Sequence, residues 1–230
     1  MCGIFGIISK TSVIRQQFCQ LAERNQQRGN LAFGYFTAKV CADSDQTTSN
    51  VFRYPHAFDQ NLLTEEKIQI SLGHILAPTA GKLKSVAEIH PFKTRDGYLA
   101  HNGLLLNYKQ FASWRINSDL EVDSQVIIGG VQYYLKEGLD VSAAIKKTVE
   151  HFEGQQACWY WHKPTQCLYL WRVMAPIYVS QNSTTFYFSS TPHNTLTDSL
   201  LKEGTIYQFN LASFTLKKTT DFSFYSPYQL

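Results

Sequence analysis

The sequence predicts an α+β protein in which two sheets pack face to face with helices covering their outer sides. Three observations lead there. Strand-length apolar and aromatic runs fill most of residues 3–101, two amphipathic helical patterns follow between 123 and 152, and closely spaced strands return from 156 to 210. An order of sheet, helices, sheet is not the alternation of a parallel α/β fold. The chain is 44% apolar and only 17% charged, enough to fill a large core, and its 230 residues are expected to form a single domain over 1–230.

Each element has its own reason. Residues 3–9 (Gly-Ile-Phe-Gly-Ile-Ile-Ser) read as a short buried strand, and Thr11 or Ser12 suits the cap of a helix running through Phe18, Cys19 and Leu21 towards Arg28. Strands are expected at 31–40, 67–76 and 97–101, each bounded by turn formers. A short helical pattern at 107–114 precedes a stronger one at 123–134 and another at 141–152, the last with Ala143, Ala144, Ile145 and Val149 on one side. Strands then follow at 156–162, 167–173, 177–180, 185–190 and 205–210, with Lys163-Pro164 and Asn182-Ser183 in turns. The tail 221–230, with its aromatics and Pro227, reads as an arm packed on the domain or on a partner.

Composition excludes several classes. Twenty-one basic residues nearly balance 18 acidic ones and no basic run exceeds a pair such as Lys146-Lys147, which argues against nucleic-acid binding. Residues 1–9 lack a positive segment and a signal-length apolar run, and no later stretch reaches the ~18 apolar residues of a membrane span. The cytoplasm is the expected compartment, without membrane association. Cys2, Cys19, Cys41, Cys158 and Cys167 show no CxxC spacing, so free thiols are expected rather than a disulfide framework or a metal site.

Cys2 stands apart because of its position. Removal of Met1, usual before a small residue, exposes a thiol (reference pKa about 8.5) beside a free α-amine (about 7.7–8.0). Near neutrality the amine is able to take the thiol proton, directly or through one water, so one residue supplies both nucleophile and base. On position alone, a small residue at the start of a strand is the simpler reading.

The surrounding residues change that balance. Met1-Cys2-Gly3-Ile4-Phe5-Gly6 resembles the start of class II glutamine amidotransferases, whose glutaminase domains are N-terminal-nucleophile hydrolases. Further blocks resemble that family in the same order: Gln27-Arg28-Gly29, Gly73-His74 with Thr79 and Gly81, His90-Pro91-Phe92, His101-Asn102-Gly103-Leu104-Leu105, and Asp123-Ser124-Gln125-Val126-Ile127. Glu203-Gly204-Thr205-Ile206 resembles its late Glu-Gly strand, so the likeness spans roughly residues 2–210. The fold it implies is a four-layer α/β/β/α sandwich.

The resemblance also implies roles, and each matching residue has a physical reading beside it. Preorganised donors facing the oxyanion of an attacked amide contribute about 10² to 10³ in rate. Asn102 and Gly103 suit this, with a side-chain NH₂ and a sterically open backbone N–H; otherwise they are a plain Asn-Gly turn. Asp123 matches the aspartate that holds the α-ammonium of glutamine, and it also suits the cap of the helix that follows. Arg28 is expected beside the nucleophile, favouring thiolate or pairing with substrate, or else is a surface arginine at a helix end. Thr79 offers a hydroxyl near the expected substrate, whereas His90 and His101 match positions of architectural character.

One position departs from the family. Leu76 stands where members usually carry an arginine for the α-carboxylate of glutamine; a charge-assisted bond of that kind is worth about 1.5–3 kcal/mol. Three readings stay open: another cation among Arg28, Lys82, Lys93 and Arg95 binds the carboxylate; a different amide is the substrate; or the domain binds without catalysing. The first implies a glutaminase subunit that uses no metal or organic cofactor and hands ammonia to a separate synthetase or other acceptor protein.

Overall fold

A computed structural model describes residues 2–13, 15–40, 47–63, 68–77, 83–192 and 198–225. Their elements in chain order are β1 (Gly3–Ser9), α1 (Arg15–Gln26), β2 (Ala32–Val40), β3 (Thr47–Tyr54), β4 (Ile70–Leu76), β5 (Phe92–Lys93), β6 (Gly97–Leu105), α2 (Ser124–Lys136), α3 (Val141–Val149) and β7 (Gly154–His162). There follow β8 (Cys167–Val173), β9 (Tyr178–Gln181), β10 (Thr185–Ser189), β11 (Ser199–Leu200), β12 (Thr205–Asn210) and β13 (Thr215–Asp221). Short 3₁₀ turns lie at Gln60–Leu62, Val86–Glu88 and Tyr108–Trp114. Among the described residues, no helix is long and apolar enough to cross a membrane.

The chain divides into two units, residues 1–91 with 176–200, and 92–175 with 201–230. The first holds an antiparallel sheet in the order β11-β9-β10-β1-β4-β2-β3, so β1 lies at its centre and all seven of its residues are buried. Alternation along the strand sends Phe5 and Ile7 to one face, where Phe18, Leu21 and Ala22 of α1 meet them together with Phe33 and Ile75. The spacing of Phe18, Leu21, Ala22 and Asn25 makes one buried stripe along α1. Each of these fully buried phenylalanines is worth about 1.5–3 kcal/mol over exposure. The helix starts at Arg15, later than a cap at Thr11 or Ser12 requires, and the Ser9 hydroxyl instead accepts the Thr11 N–H.

The second unit holds an antiparallel sheet in the order β13-β12-β8-β7-β6-β5. Val126, Ile127 and Val131 of α2 and Ala144, Ile145 and Val149 of α3 share a core with Leu105, Tyr160, Trp171 and Ile206 from the sheet. Asp140 caps α3 by accepting the Ala143 N–H at 3.0 Å. The Glu-Gly pair of the sequence has a structural role here. Glu203 accepts from both Arg172 and the Met174 N–H at 2.8 Å, and Arg172 also donates to the carbonyls of Ala175 and Leu201. These bonds hold Met174 at φ 62°, a left-handed conformation that costs a residue other than glycine about 1–3 kcal/mol. The expected arm begins as the end of β13 and continues through Phe222, which is buried in the core; residues 226–230 lie outside the described residues.

Candidate active site

Cys2 immediately precedes the central strand of the first unit and is 7% exposed. Two atoms of this residue have identified donors. Its sulfur receives the Ala77 N–H at 3.4 Å, and its carbonyl accepts Nε of Arg28 at 2.8 Å. Arg28 lies in the turn after α1. Burial lowers its pKa from the usual arginine range, with the Cys2 and Tyr178 side chains pulling it back up. A guanidinium held partly out of water beside the cysteine has a strong demand for negative charge.

The Arg-Gly pair has a steric reason. A Cβ on Gly29 would lie 2.6 Å from Cα of Ala77, so a side chain there would push the 77 backbone away and take its N–H from the Cys2 sulfur. Leu76, next to that donor, pairs with Ala32 in the sheet and is half-buried. Thr79 and Lys82 lie outside the described residues.

In the second unit, Asn102 and Gly103 sit within β6, opposite Ala157 and Gln156 of β7, and not in a turn after it. Asn102 is buried. A Cβ on Gly103 would fall 2.0 Å from the Gln155 carbonyl oxygen and 2.6 Å from His101 Nε2, so only glycine fits. Asp123 stands at the start of α2 but makes no side-chain cap bond to that helix. Instead Oδ2 accepts the Leu105 N–H at 2.9 Å and Oδ1 accepts from the Ser124 hydroxyl at 3.1 Å. The aspartate is thereby tied to β6 two residues beyond Gly103. Cys158, paired with His101, is an ordinary core thiol: burial pushes its pKa well up and the charge of Asp123 adds to that.

Cys2 thus lies with Arg28 in one unit, and Asn102, Gly103 and Asp123 lie together in the other. Tyr178, Ser124 and the two ring contacts of His101 were not foreseen as parts of these surroundings. Only Ser124, directly after Asp123 at a helix start, carried a local signal.

No family model matches the chain. Amidophosphoribosyltransferase of Pasteurella multocida (strain Pm70) is 31% identical over 180 residues, covering 69% of this chain and 34% of that protein. A structure of glutamine phosphoribosylpyrophosphate amidotransferase from B. subtilis, with ADP and GMP, superposes on 96% of this chain with TM-score 0.71 at 18% identity, covering 49% of its own chain. The chain is a relative of the class II glutamine amidotransferases. A class-II domain protein of this kind from Silicibacter pomeroyi matches over 96% of this chain and all of its own, with TM-score 0.60 at 13% identity. These likenesses give the chain the expected α+β fold of the N-terminal-nucleophile type. It spans about a third of the length of the amidophosphoribosyltransferase it matches.

Proposed function

We propose that this class II amidotransferase relative hydrolyses the side-chain amide of glutamine to glutamate and ammonia, with Cys2 as nucleophile. The observation that carries this reading is the cysteine at position 2, at the head of a buried central strand, with a backbone N–H on its sulfur and Arg28 on its carbonyl. The thiolate adds to the amide carbon, Asn102 and Gly103 donate to the oxyanion, and ammonia leaves as the thioester forms. Water then releases glutamate and restores the thiol, the α-amine of Cys2 taking and returning the protons. Asp123 holds the α-ammonium of glutamine, and Arg28 and Thr79 complete the binding of substrate.

The ammonia passes to a synthetase or other acceptor in a partner protein. One structural relative carries both glutamine and phosphoribosylpyrophosphate in its name. An acceptor of this kind should co-purify with the chain.

Mass spectrometry of the natural protein should show Cys2 at the N-terminus, and incubation with glutamine should yield glutamate. Cys2→Ala should lower that yield by about 10³ or more. Active protein that retains Met1 would remove the α-amine from the mechanism.

Leu76 supports a second reading, in which the same nucleophile attacks an amide without an α-carboxylate. It predicts that simple primary amides are cleaved at rates matching or exceeding that of glutamine.

A further inference from the structure

We propose that Ser124 is a positioning residue for glutamine capture, setting the orientation of the Asp123 carboxylate from the His101 imidazole behind it. This rests on the reading of Asp123 as the group that holds the α-ammonium.

The argument is a chain of hydrogen bonds whose ends have fixed polarity. A carbonyl oxygen only accepts, so the Gln155 carbonyl, 3.1 Å from Nε2 of His101, places a ring proton on that nitrogen. Nδ1 then faces the Ser124 hydroxyl at 2.8 Å, and the same hydroxyl lies 3.1 Å from Oδ1 of Asp123. The other carboxylate oxygen takes the Leu105 N–H. His101 and Ser124 are 2% and 1% exposed, so bulk water does not compete for these bonds.

Ser124 has one proton and two neighbours that can receive it. Given to Asp123, the proton makes a charge-assisted bond, and the hydroxyl oxygen is then free to accept from Nδ1 when the ring carries a second proton there. Given to His101, it leaves a serine lone pair facing the carboxylate. The Ser124 hydroxyl and the His101 ring together therefore decide whether Oδ1 is held from behind. A carboxylate offers about four acceptor sites, and the bonds from Ser124 and Leu105 direct two of them inward, which leaves the outward pair for an ammonium. The anchor is shared with β6, because the carbonyl that holds His101 is the one a Cβ on Gly103 would strike.

The test measures glutamine binding by calorimetry in Cys2→Ala protein, where no turnover intervenes. Adding Ser124→Ala should weaken binding about tenfold, and Ser124→Thr, which keeps the hydroxyl, should recover most of that. His101→Gln retains an N–H for the Gln155 carbonyl but loses Nδ1; it should weaken binding similarly, and the Ser124→Ala/His101→Gln pair no further than either alone. In the active chain, Ser124→Ala should raise KM about tenfold while kcat falls by no more than about threefold. Binding within about twofold of the parent for either single variant, with folding confirmed by thermal unfolding, overturns the proposal. Binding without glutamate release from the active chain would sink the hydrolysis alone, leaving Ser124 judged on the affinities. No binding by the Cys2→Ala parent overturns both.

Discussion

In the unit that carries Cys2, the identified contacts of the candidate nucleophile are its own carbonyl with a guanidinium and its sulfur with a backbone N–H. In the unit that carries Asp123, the candidate binding group is held by a neighbouring hydroxyl, itself in contact with a ring, and by one strand N–H. The first arrangement depends on where the main chain runs, and it is set by whatever lets segments approach closely. The second depends on side-chain polarity and is open to single polar substitutions. Added volume should therefore be what disturbs the first unit, whereas the second should answer to lost hydrogen bonds as well.

Substitutions at two glycines and acidification test this contrast, with effects that decrease in that order. Gly103→Ala drives a methyl against backbone at 2.0 Å, where no rotamer relieves it. It should lower unfolding free energy by about 3 kcal/mol in urea titration and remove glutamine turnover. Gly29→Ala meets Ala77 at 2.6 Å and displaces the donor on the Cys2 sulfur. We expect a loss of about 1–2 kcal/mol and about a tenfold fall in kcat, with glutamine affinity less affected. A larger effect on affinity than on kcat would break the comparison.

The smallest effect is one of pH, in the second unit. Burial lowers the pKa of His162, against the pull of Asp96, while Lys163 lowers it further. The unfolded chain then binds this proton more readily than the folded one. The stabilisation is whole above the ordinary histidine value near 6.5 and is lost as pH falls through the lowered folded value. Melting temperature should decline on acidification from pH 7.5 to 5, and His162→Asn should flatten that decline.

Apolar patterning made most of the fold legible. β1, β4, β7 and β8 are buried almost throughout, and their runs are visible in the sequence. β3 and β13 were not foreseen, because each lies at the edge of its sheet. Their sequences, Thr-Thr-Ser-Asn-Val-Phe-Arg-Tyr and Thr-Leu-Lys-Lys-Thr-Thr-Asp, are largely polar, as edges facing solvent allow. The candidate residues were legible as types and not as contacts. Asp123 at a helix start predicts a cap, yet its carboxylate reaches Leu105, 18 positions earlier, through a tertiary contact that local sequence does not encode. Asn102-Gly103 has the composition of a turn, but the β7 pairing draws it into a strand.

The central place of β1 has a practical consequence for handling the protein. With three strands on either side and Cys2 buried at its head, anything fused upstream must leave from the middle of the sheet. An affinity handle at that end would block the α-amine of the candidate nucleophile and crowd its thiol at once, so a test of the proposed chemistry needs that end free.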